Sequence, residues 1–334
     1  MITLQEDRLE FRFPEVHEEA QCSISFQRTL RIPDDEKDYP LPPGFGKFPL
    51  RHLDDYAGRI PEKWVERGGV IMPMFQSEAL WIHFQSNAYC DAYPFAIKVA
   101  TGKIDAITGE RWREGLHSDP QDYVVIPTQP WLDGYCVERG VIRQFVAMPL
   151  GEGYTVEEQI TGESEYGGIQ IVAYPMKAEI YEEMRRSLRD GWTVFDFCRA
   201  IPMPDMGLAP GGRMKQEIYV DPYGLEAWDQ EHSSRCFVTI ANSLTWRAIT
   251  GESPPTIPPT AADYSKACLP WFDYYDGDEK PSKGSKILAG LASVAELSKK
   301  KGQAVLPENK SADIKTVINI QKKHSPNQVR ESTF

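Results

Sequence analysis

The sequence lacks every short pattern that would name a reaction by itself. No Cys-x-x-Cys occurs, and six cysteines and six histidines are spread over 334 residues, which sets aside a zinc ribbon or finger. Cys22, Cys90, Cys136, Cys198, Cys236 and Cys268 stand 32 to 68 residues apart, mostly in apolar runs, the pattern of buried free thiols. Neither the Walker nor the dinucleotide glycine spacing is present, so no phosphate loop opening a helix is expected. No apolar stretch approaches the roughly 18–20 residues that a membrane-spanning helix needs. Met1 to Phe11 carry neither the basic nor the apolar segment of a secretory signal. These absences lead to the expectation of a cytoplasmic protein with no membrane span, no bound metal and no cofactor.

What is present divides by charge. Residues 1–279 hold 26 Lys+Arg against 45 Asp+Glu, and residues 280–334 hold 11 against 4, so a body of net −19 is followed by an extension of net +7. The expected organisation is an acidic globular body, 1–279, with a strand-rich part at 1–150 and a mixed part at 151–279, then a basic, partly ordered extension at 280–334. The body carries most of the 8 Trp, 15 Tyr and 14 Phe, enough apolar area for one large core or two modest ones. An acidic body repels nucleic acid, so only the tail offers a place for it.

Periodicity gives the fold class. Leu9–Phe13 and Cys22–Ile32 alternate apolar and polar residues, as half-buried strands do. Residues 34–44, charged and proline-rich, read as a loop. A short helix is expected over Pro61–Arg67, closed by Gly68 and Gly69. Five further strands are expected at 69–75, 79–84, 94–100, 122–126 and 141–148, with a hairpin turn at Thr101-Gly102-Lys103. Thr155 and Glu158 form a capping box for a helix closed by Gly162, and a strand at 168–174 leads to a helix over 177–189. A second strand and helix follow at 235–240 and 244–250, with Asn242 as cap and Gly251 as stop. The tail offers an amphipathic helix over 287–297 and a last strand at 317–320. The class is therefore α+β: a strand-rich mixed or antiparallel sheet with several short helices.

The tetrapeptide Ile-Thr-Gly-Glu occurs at 107–110, 160–163 and 249–252. Its unequal spacing and unmatched flanks argue for independent use of glycine as a helix stop and against a repeat architecture.

Candidate chemistry is thin. Gly207 to Lys215 combines glycines with cations, so Gly211, Gly212, Arg213 and Lys215 could form an anion-binding nest; the plainer reading is a sharp loop feeding a strand at 214–220. Asp229, His232 and Cys236 lie within eight residues and could make an activated thiol, although an apolar strand would bury and silence Cys236. His83 with Glu78 is a loose acid–imidazole pair, more simply a structural histidine. Trp131, Trp228 and Trp271, with nearby acids, could bind a sugar, though tryptophan more often builds a core. The leading expectation is a protein that binds a protein partner or self-assembles as a homo-oligomer without catalysis. The first alternative is an enzyme for a small anionic or polar metabolite, with Arg143, Arg213 and Lys215 as substrate contacts and His83 or an acid as proton carrier, and the second is a carbohydrate-binding protein.

Overall fold

Period-two alternation near the N-terminus starts the architecture. The computed structural model describes residues 1–35, 37–86, 92–187, 206–275, 280–304 and 306–321; Cys90, Cys198 and the last two residues of the expected 177–189 helix lie outside these. Strands β1 (Ile2–Gln5), β2 (Arg8–Arg12) and β3 (Gln21–Thr29) form an antiparallel meander. Leu9, Phe11, Cys22, Ile24 and Phe26 enter the core from one face of it.

The chain continues through β4 (Asp38–Tyr39), β5 (Gly44–Lys47), β6 (Arg51–His52), α1 (Glu62–Arg67), β7 (Val70–Pro73), β8 (Ala79–Ser86), β9 (Phe95–Thr101) and β10 (Ile104–Asp105). Next come β11 (Val124–Ile126), β12 (Trp131–Leu132), β13 (Gly134–Glu138), β14 (Val141–Pro149), α2 (Val156–Thr161), β15 (Ile169–Pro175) and α3 (Ala178–Ser187). The described chain closes with β16 (Met206–Lys215), β17 (Ser234–Ala241), α4 (Ser243–Thr250), α5 (Ala261–Lys266), β18 (Trp271–Tyr275), α6 (Lys286–Ala289), α7 (Val294–Lys300) and β19 (Val317–Gln321). The protein is strand-rich, with a mostly antiparallel sheet and few helices.

Two runs of strands share one core. The first is β1-β2-β3-β8-β14-β16 and the second β7-β17-β15-β9-β11, joined where Met206 of β16 pairs with Ile240 of β17. Parallel pairs occur at β16–β4, β17–β7 and β18–β19. Every residue of β9 and β15 is buried, so both faces of these central strands are covered and their sequences read as continuous runs.

Local signals acted as their chemistry requires. Thr155 and Glu158 make the reciprocal capping box, Gly162 closes α2 in the left-handed region, and Asn242 caps α4 before Gly251 ends it. Ile104 pairs with Thr101 across the expected hairpin turn. Other expectations are corrected. The proline-rich stretch is not free of ladder: Asp38 and Tyr39 pair with β16, and Tyr39 is buried with its ring 5.7 Å from that of Trp271. The strand expected at 214–220 runs earlier and ends at Lys215. The single helix over 287–297 is two, α6 and α7, separated at Gly290 to Ser293, where Ser293 caps the second.

Residues 280–321 lie on the body. Leu288 and Val294 are fully buried, and Ser285 N donates to Cys136 O at 2.8 Å. Ala292 N donates to Gln159 Oε1 and Ala295 N to Asp34 Oδ2, each at 2.9 Å. Buried Arg31 donates to Asn309 Oδ1 at 2.7 Å.

Candidate ligand cleft

The site begins with the alternation of β8. Leu80, Ile82 and Phe84 point into the core, which leaves Trp81, His83 and Gln85 half-buried on the outer face. Residues directly opposite on neighbouring strands share a face. Ser25 and Trp131 flank His83 from β3 and β12, and Gln27 stands beside Trp81. The Trp81 and His83 rings meet edge to face at 5.6 Å. The result is an aromatic strip, Trp81–His83–Trp131, bordered by serine and glutamine.

Beside Trp131 the surface sinks into a cleft of about 380 Å³. Its walls are the 129–131 segment and the 215–219 segment that follows β16, with Asp38, Leu41 and Asp273 at other points of the lining. Two glutamines tie the walls together. Gln129 Nε2 donates to the carbonyls of Trp131 (2.9 Å) and Glu217 (3.3 Å), and its Oε1 accepts from Tyr219 N at 3.1 Å. Gln216 Nε2 donates to Trp131 O at 3.3 Å, while its Oε1 accepts from Asp133 N at 2.9 Å. With both amides committed to the main chain, Lys215, Glu217 and Asp273 are, among the described residues, the charged lining side chains left to meet a ligand. Asp38 already accepts from Arg213 Nε at 2.8 Å.

Asp133 lies behind this wall. Burial pushes its carboxyl up to about 7, against a hydrogen bond from the Trp131 side chain, and its Oδ2 has no partner among the described residues. It is absent from the lining itself.

The sequence candidates scatter. Lys215 and Trp131 meet at the cleft, and His83 adjoins it through Trp131. Glu78 does not join His83: its carboxylate accepts from Arg28 Nε at 2.5 Å and Phe75 N at 2.9 Å, a fully buried pair in which burial pushes the acid upward. Gly211 and Gly212 form no nest. Both sit inside β16 with φ outside the left-handed region, and a Cβ there would meet Val146 Cγ2 at 2.5 Å and Pro33 O at 2.4 Å, so close packing is what requires glycine. Arg213 is held by Asp38 and by both oxygens of Glu138. Arg143 donates to Leu291 O at 3.3 Å and lies 3.8 Å from Glu296.

Asp229 and His232 do pair, at 2.8 Å, and the hydrogen bond and charge of Asp229 raise the imidazole. Cys236 is not part of this: it is 5 % exposed in β17, burial pushes its thiol up to about 12, and no hydrogen bond joins it to His232. Trp228 and Trp271 are fully buried core residues. Sequence reasoning missed Trp81 as a site residue, although its outward phase in β8 was readable, and missed Glu217 and Asp273, for which no local signal existed. Among the described residues, no group of three or more His, Cys, Asp and Glu side chains is placed to hold a metal, and no helix is long and apolar enough to cross a membrane.

No protein-family model matches this chain, no curated protein is similar to it in sequence, and no solved structure matches its fold.

Proposed function

We propose that this protein works by binding, and that the cleft beside Trp131 takes a neutral polyhydroxylated ligand of saccharide size. The observation that carries this reading is the continuity of the aromatic strip with a cleft whose charged lining is mainly carboxylate. An indole offers a flat apolar face to the C–H side of a sugar ring, while carboxylates accept strong hydrogen bonds from its hydroxyls. The volume suits a small polar ligand. Lys215 and the acids favour a ligand rich in both donors and acceptors over an anion.

Isothermal titration of the full chain with a panel of neutral mono- and disaccharides tests this. At least one should bind saturably, and Trp131→Ala should weaken it at least about tenfold, or 1.4 kcal/mol. No saturable heat from any saccharide, or unchanged affinity in Trp131→Ala, would sink the idea. The same samples address the enzyme alternative, because a saccharide recovered altered after equilibration has been a substrate.

One observation favours a second reading, a protein partner or a second copy. Leu244 and Ile257 are 74 % and 76 % exposed, the most exposed large hydrophobic side chains among the described residues. Native mass at a multiple of 37.9 kDa would support self-assembly.

A further inference from the structure

The outer face of the β9–β15–β17 sheet, in the second run of strands, carries a cluster that the cleft does not use. Register places Lys98, Val172 and Arg235 in one row and Ala100, Gln170 and Phe237 in the next. Lys98 is spoken for: its Nζ donates to Arg113 O, Gly115 O and Asp122 Oδ2 and is buried under Trp112. The other cations are not so enclosed. Lys103, in the turn after β9, donates to Gln170 Oε1 at 2.8 Å and lies 5.3 Å from the Tyr166 ring centre. Arg67, at the end of α1, lies 5.2 Å from the same ring and 5.4 Å from that of Phe237, its guanidinium steadied by the carbonyls of Tyr166 and Glu165. Arg235 rests 5.4 Å from the Trp112 ring, and its side chain is 42 % exposed.

Arg235 and Arg67 both act on Lys103. Burial, then the charges of Arg235 and Arg67, hold the Lys103 ammonium below its usual range, with Glu114 and Glu157 opposing. The acids within reach are already engaged. Glu114 pairs with Arg235 and accepts from Trp112 Nε1, Glu157 accepts from the amides of Tyr166 and Gly167, and Glu165 holds the Tyr166 hydroxyl. Gln170 adds a second, independent sign. It is 2 % exposed, its Oε1 is fixed toward Lys103 because an ammonium only donates, and its Nε2 meets no acceptor among the described residues. A buried N–H without an acceptor is rare and costly. The three cations are thus matched in number by three carboxylates, but the carboxylate oxygens are already engaged, and the cluster has more donors than acceptors left to meet them.

We propose that Lys103, Arg235 and Arg67, with the Gln170 amide, bind an oxyanion, the phosphate or carboxylate group of a small ligand. Cations distant in sequence are thus gathered at one place on the acidic body, which composition does not reveal. An oxyanion here accepts from the Lys103 ammonium, the solvent side of the Arg235 guanidinium and the Gln170 Nε2.

The test uses the full chain with inorganic phosphate, sodium acetate and sodium chloride at matched ionic strength, which holds general screening constant. Two readouts are taken: the thermal midpoint, and acetylation of individual lysines followed by mass spectrometry, with exposed Lys299 as internal control. Phosphate or acetate should raise the midpoint and slow modification of Lys103, relative to Lys299, at least about threefold over chloride. Arg235→Gln, a surface change that leaves the fold intact, should abolish both effects. Protection by phosphate alone assigns a phosphate site, and equal protection by acetate assigns a general carboxylate and phosphate site. Equal behaviour in all three salts, or protection undiminished in Arg235→Gln, overturns the proposal without touching the cleft.

Discussion

Asp133 is the residue whose ionisation is most altered by folding in the neighbourhood of the cleft. Unfolded, it titrates near 3.8; folded, burial carries it to about 7, because the hydrogen bond from Trp131 does not replace the water removed from the carboxylate. Between those values the folded state binds a proton that the unfolded state has released. Stability tied to the neutral carboxyl is therefore fully present below 3.8 and is lost as pH rises through 7. Asp105, also fully buried and pushed up to about 7, has the same sign and the same window. Asp133→Asn should leave stability unchanged at pH 4 and increase it at pH 8 by about 1–3 kcal/mol, read from urea midpoints at the two pH values. An equal effect at both would show that the carboxyl is ionised in the folded state. Nothing in the sequence marks Asp133: it is one acid in an aromatic stretch, and only strand pairing on both sides of it shuts out water.

Elements show where local sequence is a sufficient cause. At all three Ile-Thr-Gly-Glu sites the glycine has φ between 72° and 75°, its amide bonds a carbonyl four residues back, and the glutamate amide donates to the threonine hydroxyl. The tetrapeptide is thus a self-contained stop, used after α2 and α4 and also after β10, where sequence reading had no helix to attach it to. Its surroundings differ. A Cβ at Gly162 or Gly251 meets no described residue within 4 Å, whereas at Gly109 it would stand 2.8 Å from Leu288 Cγ and 3.1 Å from Ile287 Cβ. Gly162→Ala and Gly251→Ala should each cost about 1 kcal/mol of backbone strain. Gly109→Ala should cost about 2–4 kcal/mol, because packing is added to strain. Chemical denaturation ranks the three, and equal costs would remove the packing argument. Capping boxes, glycine stops and period-two strands were legible for the same reason: each is settled within four or five residues. The short strands β4, β5, β12 and β13 were not, since Asp38–Tyr39 or Trp131–Leu132 become strands only when a distant partner arrives. Gly211 and Gly212 misled for the same reason, because the atoms that demand glycine there belong to Ile32, Pro33, Gln144 and Val146.

At the scale of the whole molecule, the change of charge near residue 280 was legible but its sign was a poor guide to what holds the segment. A basic extension beside an acidic body suggests electrostatic docking. Yet among the described residues no lysine of 280–321 forms an ion pair with the body; the one such pair is reversed, Glu296 of the extension with Arg143 of β14 at 3.8 Å. Lys283, Lys286, Lys299 and Lys300 are exposed. Contact is made instead by Leu288, Val294, Ser293 and Ser298, all buried, by main-chain bonds such as Ser282 N to Ile218 O at 2.6 Å, and by the parallel pairing of β18 with β19. Apolar burial of this kind strengthens in salt, where ion pairs weaken. Limited proteolysis separates the two accounts. Raising sodium chloride to about 1 M, where the screening length is only about 3 Å, should leave cleavage of residues 280–321 no faster than at low salt. Leu288→Ala should release the segment at either salt concentration and cost about 2–4 kcal/mol, because α6 loses the side chain that fills the space beside Gly109. Salt-induced cleavage in the parent, with Leu288→Ala still protected, would mean that charge holds the extension after all. Where a lysine of the extension does meet the body it does so without a carboxylate: the Lys301 ammonium donates to Glu152 O and lies 3.8 Å from the centre of the Tyr154 ring.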